Sequence, residues 1–180
     1  SKIVGEWTIT GTERMKNRPI KLLVDALNSL VPRTEYIEKE GYPPLRIFGS
    51  ALQGGEISLS GGISSQYISA LLMVAPLMEK GLTIHLEGNI ISRPYIQLTL
   101  QLMEQFGVEG NWSGQTIKVL PQEYKPVPFT VESDWSAASY WYQMAALNKD
   151  AEIELLGLMK NSLQGDSAVA GLFTQLGITT

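Results

Sequence analysis

Four stretches of this sequence recur at nearly one spacing. ISLSGGISSQYI from Ile57 aligns with FTVESDWSAASY from Phe129 (129 − 57 = 72), and IHLEG from Ile84 aligns with IELLG from Ile153 (153 − 84 = 69). FGV at Phe106 meets LGI at Leu176 after 70 residues, and RPIKLLVDAL from Arg18 resembles RPYIQLTLQL from Arg93 after 75. A period of this length exceeds that of solenoid repeats, so it describes a duplicated supersecondary unit.

Hydrophobic periodicity gives the content of the unit. Alternation such as Ile84 and Leu86 against His85 and Glu87 marks strands, and spacing such as Leu98, Leu102 and Phe106 marks helices. Strands are expected over 6–10, 34–38, 45–48, 56–60, 82–87, 108–112, 116–120, 129–132 and 152–156, and helices over 19–30, 64–78, 94–106, 136–147 and 166–176. The order reads βαββ, then βαβαββ, then βαβα. That is an α/β (α+β) fold built from repeated βαβαββ units, with the first and third units cut, so the chain is expected to be an excerpt of a longer protein. PQEYKPVP, residues 121–128, holds three prolines and is the expected linker.

Composition bounds the function. At 180 residues and 44% hydrophobic the chain has enough apolar content for a core, and with no cysteine it has neither disulfides nor thiolate chemistry, as suits a reducing compartment. A net charge of −4 argues against a nucleic-acid surface. The apolar run 70–78 is too short to span a bilayer and residues 1–30 lack a signal-peptide pattern, so a soluble, cytoplasmic protein is expected.

Three expected helices begin without an acid. Ser64-Ser65-Gln66 opens a helix that contains none, Ser92-Arg93-Pro94 precedes one whose first acid is Glu104, and Arg18-Pro19 one whose first is Asp25. Pro19 and Pro94 are expected at the first helical position, where a missing N–H costs nothing. A helix start carries about four unpaired N–H groups and roughly half a positive charge, a ready site for phosphate or carboxylate. Serine there also serves as an ordinary N-cap, and both readings stand on these residues alone. Asp134 and Asp166 supply acids at the other two helix starts. Arg14-Met15-Lys16-Asn17-Arg18 reads as a solvated basic loop, within which Arg18 has a fork suited to an anion at a helix mouth. His85 falls on the outward face of a strand, Glu38-Lys39-Glu40 reads as a hairpin loop, and Trp135, Tyr140, Trp141 and Tyr142 read as packing.

GGISSQYISALLMVAPL, with TGTERMKNRPIKLLVDAL before it, SRPYIQLTLQLMEQFGVE after it and NSLQGD at 161–166, resembles the 5-enolpyruvylshikimate-3-phosphate synthase family over essentially the entire chain. The resemblance implies transfer of the enolpyruvyl group of phosphoenolpyruvate to the 5-hydroxyl of shikimate 3-phosphate, in aromatic amino-acid biosynthesis. It implies a two-lobed enolpyruvyl transferase fold of three βαβαββ units per lobe, helices buried inside sheet walls, with residues 1–125 in the lower lobe and 126–180 starting the upper.

By motif, Ser64, Ser65 and Ser92 are expected on the shikimate 3-phosphate phosphate and Tyr95 on the shikimate moiety. Gln66 is expected at the junction of the two substrates and Arg18 on phosphoenolpyruvate. Arg93 stands where some relatives carry Lys. The family's catalytic groups have no counterpart here, so no catalytic residue, metal or cofactor is assigned, and the chain by itself is expected to be inactive. The intact protein is expected to be monomeric and the excerpt to self-associate through uncovered apolar faces. Two alternatives are the related transferase acting on UDP-N-acetylglucosamine, which the Ser-Ser-Gln and Ser-Arg-Pro-Tyr motifs disfavour, and a non-catalytic βαβ scaffold needing no anion at the serines.

Overall fold

The structure, a computed structural model, describes residues 5–30 and 33–180. The first elements are β1 (Gly5–Ile9), α1 (Glu13–Lys16), α2 (Lys21–Leu30), β2 (Thr34–Tyr36) and β3 (Leu45–Gly49). There follow β4 (Gly55–Ser60), α3 (Ser65–Val74), β5 (Leu82–Glu87), α4 (Arg93–Gln105), β6 (Gly110–Ser113) and β7 (Thr116–Val119). The chain ends with α5 (Trp135–Ala146) and α6 (Val169–Thr174). It divides into two compact units, one reaching to Lys125 and one covering Pro126–Thr180.

The βαβαββ pattern is complete from β4 to β7. These strands form one sheet in the order β4-β5-β7-β6, with β4 parallel to β5 and the other neighbours antiparallel. Alternation decides which face is inward: in β4, Ile57 and Leu59 are buried while Glu56, Ser58 and Ser60 are exposed. On that inward face Ile57, Leu59, Ile84, Leu86, Ile117 and Val119 meet Ile68, Leu71 and Leu72 of α3 and Ile96, Leu100 and Met103 of α4. Full burial of each such aliphatic side chain is worth about 1.5–3 kcal/mol, and this cluster is the main core of the unit. The apolar run continues past α3, but the α-helix stops at Val74 and a 3-10 turn spans Ala75–Leu77, short of the expected residue 78. Pro76 is the cause, since it has no N–H to extend the helical ladder.

The preceding three-stranded sheet has the order β1-β3-β2, antiparallel throughout. This is the order and sense of β5-β7-β6, so β1-α2-β2-β3 reproduces the second half of the complete unit. Ala26 of α2 joins the main core, with Leu23, Leu27 and Leu30 packed beside it. Two local details differ from the sequence reading. The basic run expected as a loop contains the single turn α1, which is too short to show periodicity. Pro19 lies outside α2, which starts at Lys21, and its carbonyl is therefore free of the helix.

The unit Pro126–Thr180 departs further. Residues 129–132 and 152–156, expected as strands, form no ladder, although the Ser133 N–H donates to the Gly157 carbonyl at 2.8 Å and the Ser133 hydroxyl to the Leu156 carbonyl at 2.8 Å. The first bond repeats that of the Gly61 N–H to the Glu87 carbonyl at 2.7 Å, displaced by 133 − 61 = 72 and 157 − 87 = 70 residues. The chain path of the repeat is thus kept while the sheet is not: among the described residues no further strand pairs with these two segments, and a two-stranded sheet alone is marginal in water. The expected helix 166–176 shortens to a 3-10 turn, Gly165–Ala168, followed by α6, whose interior includes Gly171. Trp135, Ala138, Tyr142 and Val169 form a small core, with the Trp135 and Tyr142 rings stacked at 6.5 Å. Tyr140 and Trp141, read as packing, are exposed instead.

Gly54 and Gly88 share a φ of +76°, but a Cβ at Gly54 would lie 2.0 Å from the Gly81 carbonyl oxygen, whereas at Gly88 it would meet nothing within 4 Å. Gly88→Ala is therefore expected to cost only left-handed backbone strain, about 1–2 kcal/mol. Gly54→Ala adds a steric clash with backbone and should lose at least about 2 kcal/mol more. Denaturant midpoints of the two variants check the difference; equal losses would contradict the packing described.

Candidate functional site

β4 and β5 end level, because their parallel register closes on the pair Ser60 and Glu87. The loops leading to α3 and α4 therefore leave the sheet at the same end. They are also tied together: the Gly61 N–H donates to the Glu87 carbonyl at 2.7 Å and the Ile91 N–H to the Gly61 carbonyl at 3.4 Å. A Cβ at position 61 would stand 2.9 Å from the Asn89 carbonyl oxygen, so glycine is what permits this approach. One to two turns into the helices the Ser69 and Thr99 hydroxyls share a hydrogen bond of 2.7 Å. Ser64 and Ser92 thus open two adjacent helices at one end of the sheet, although 28 residues separate them (92 − 64).

Both serines occupy the N-cap position, yet neither side chain makes a capping hydrogen bond. Neither helix has an acid in its first turn. Ser65 is half-buried, and Gln66 is exposed beside it. Tyr95, in the first turn of α4, is 50% exposed, and its carbonyl accepts from the Thr99 hydroxyl. The N–H groups and positive ends of α3 and α4 are thus answered by no capping side chain and no first-turn carboxylate.

A third helix start joins this corner. The Tyr67 hydroxyl, in the first turn of α3, donates to the Pro19 carbonyl at 2.5 Å. That bond ties Pro19, the residue after Arg18 at the entrance of α2, to the first turn of α3. Arg18 is exposed and forms no ion pair or side-chain hydrogen bond among the described residues. Lys21, at the first turn of α2, is bonded to Glu40 at 2.7 Å; this bond raises the Lys21 pKa above its ordinary value and lowers that of Glu40. Nothing in the sequence pattern pointed to the Tyr67 link, which joins residues 48 apart.

Arg93 behaves differently from Arg18. Its guanidinium lies 4.4 Å from the centre of the Trp112 ring and donates to the Gly114 carbonyl at 3.4 Å. Its charge is engaged at the β6–β7 turn, so it does not act as a free cation at the Ser92 mouth.

α5 shows the opposite solution at a corresponding place. The Asp134 carboxylate caps the Ser136 N–H at 2.8 Å, and the Ser136 hydroxyl donates to the Asp166 carboxylate. Ser136 is the repeat counterpart of Ser64 (136 − 64 = 72). There the protein's own carboxylates answer the helix start; at Ser64 none does. His85 is held between the Thr116 hydroxyl at 3.2 Å and Glu56 at 3.4 Å. Among the described residues no group of three or more His, Asp or Glu side chains is placed to hold a metal ion, and no helix is long and apolar enough to cross a membrane.

Comparison with known proteins adds a family. The family model described as EPSP synthase (3-phosphoshikimate 1-carboxyvinyltransferase) matches residues 1–179. A Bacteroides fragilis protein named 3-phosphoshikimate 1-carboxyvinyltransferase is 59% identical over 181 residues, covering 100% of this chain and 44% of the relative. A Vibrio atlanticus protein of the same name is 46% identical over 176 residues, covering 96% of this chain and 41% of the relative. The chain thus spans less than half the length of these curated relatives. Among solved structures, EPSP synthase from Acinetobacter baumannii superposes with a TM-score of 0.66 at 21% identity, over 79% of this chain and 32% of that one. That likeness shows that the two chains share a fold over the superposed stretch.

The uncommitted hydroxyls have a consequence for stability. Replacing a capping side chain by Ala ordinarily costs about 1 kcal/mol. Ser64→Ala and Ser92→Ala should each fall below about half of that, while Asp134→Ala, which removes a formed cap, should cost the ordinary amount or more. Thermal melts of the three variants decide this, and a full capping loss at Ser64 would mean that its hydroxyl serves the helix.

Proposed function

Because the chain belongs to the EPSP synthase family, we propose that it forms part of an enzyme that moves the enolpyruvyl group of phosphoenolpyruvate to the 5-hydroxyl of shikimate 3-phosphate. The observation that carries the reading is the corner where α2, α3 and α4 begin without acids. Ser64, Ser65 and Ser92 receive the phosphate of shikimate 3-phosphate, with their hydroxyls and the helix N–H groups as donors to a dianion. Tyr95 lies against the shikimate ring, and Gln66 stands between the two substrates. Arg18 grips phosphoenolpyruvate through its bidentate fork.

On this reading the unit reaching to Lys125 belongs to the lower lobe and Pro126–Thr180 to the upper. The groups that shuttle protons lie outside these residues, so the chain alone positions substrate without turning it over. Each such group commonly contributes about 10²- to 10⁴-fold. The reaction asks for no metal or cofactor from this chain, and the intact enzyme is a cytoplasmic monomer. Exposed apolar side chains such as Leu147 (82%) and Leu156 (76%) support self-association of the isolated stretch.

A hybrid in which these 180 residues replace the matching 181 of the Bacteroides fragilis relative tests the reading. The hybrid should release phosphate when given both substrates, and the chain alone should not. In the hybrid, Ser64→Ala combined with Ser65→Ala should raise KM for shikimate 3-phosphate roughly tenfold or more, since hydrogen bonds to charged groups are worth about 1.5–3 kcal/mol. A folded but inert hybrid, or turnover by the chain alone, would overturn the assignment.

A further inference from the structure

We infer that Tyr67 is a positioning residue for Arg18, coupling the phosphoenolpyruvate side of the site to the helix that holds shikimate 3-phosphate. The inference rests on the proposed role of Arg18. Arg18 sits between α1 and α2, a place where the backbone has few regular hydrogen bonds. Its own N–H donates to the Met15 carbonyl at 3.1 Å, and the Ile20 N–H donates to the Gly41 carbonyl at 2.8 Å. Among the described residues the hydrogen bond that holds the short span between them is that from the Tyr67 hydroxyl to the Pro19 carbonyl at 2.5 Å. Pro19 has no N–H of its own, so its carbonyl is the one backbone group through which this residue can be held.

Tyr67 is suited to the task by where it stands. Its ring packs against the main core, which fixes the direction of the hydroxyl. It follows Gln66 and lies in the first turn of α3, so any shift of the Ser64-Ser65-Gln66 start is carried to the residue next to Arg18. The guanidinium has no side-chain partner of its own among the described residues and takes its place from its backbone. An arginine held at the backbone and free at the fork delivers two parallel N–H donors to a carboxylate or phosphate without first breaking a competing pair.

The test is a comparison of Tyr67→Phe, Tyr67→Leu and Arg18→Lys in the hybrid enzyme, with KM for each substrate, kcat and thermal melts. Tyr67→Phe keeps the ring in the core and removes only the hydroxyl. It should raise KM for phosphoenolpyruvate about threefold to tenfold, the worth of one ordinary hydrogen bond, and leave KM for shikimate 3-phosphate within about twofold. Arg18→Lys should move the same KM further in the same direction. Tyr67→Leu, which also loses packing, should lower the melting temperature and raise both KM values. If Arg18→Lys leaves KM for phosphoenolpyruvate unchanged, the role of Arg18 is wrong. If Arg18→Lys acts as expected but Tyr67→Phe moves both KM values equally or neither, Arg18 stands and the positioning role of Tyr67 is overturned.

Discussion

The parallel pairing of β4 with β5 is the interaction on which the rest depends. Parallel neighbours need a crossover, here α3, and a second helix after β5 starts from the same end as the first. The register that closes on Ser60 and Glu87 sets the two helix starts level, and the Gly61 contacts bring their loops together. A one-residue slip would turn Ile57 and Leu59 outward, so the core that buries them also fixes the geometry of the corner. Stability and site geometry therefore have one cause.

The corner is electrostatically incomplete, and the contrast within the chain makes that visible. α5 has Asp134 and Asp166 about its first turn, so its positive end is answered from within. The equivalent start at Ser64 lacks both carboxylates, and its hydroxyl makes no cap. One filled and one open mouth in a duplicated unit is the pattern that the proposed anion site at α3 would produce. Arg93 fits the same logic, since a cation stacked on Trp112 leaves the Ser92 mouth to its N–H groups and hydroxyl.

Much of the fold was legible because the repeat carries it. The shifts between Ile57 and Phe129 and between Ile84 and Ile153 locate equivalent segments by residue pattern alone, and β1-β3-β2 matches β5-β7-β6 in order and sense. What was not legible depends on contacts that periodicity does not encode. α1 is one turn long, the segments 129–132 and 152–156 have hydrophobic alternation but no sheet to join, and Pro76 ends a helix whose apolar pattern runs on. At the corner the acid-free starts could be read directly, whereas the Tyr67–Pro19 bond and the diversion of Arg93 to Trp112 are tertiary facts. Hydroxyls read as either caps or ligand donors were ambiguous in sequence; their geometry shows them free of the cap.

The claim that these helix starts form one anion site is tested most directly by titrating the 180-residue chain with shikimate 3-phosphate and following backbone amide resonances. The account predicts saturable shifts at Ser65, Gln66 and Arg93 that fit a single dissociation constant, with the amides around Ser136 unmoved. Shifts confined to surface lysines, or different constants at the starts of α3 and α4, would contradict it.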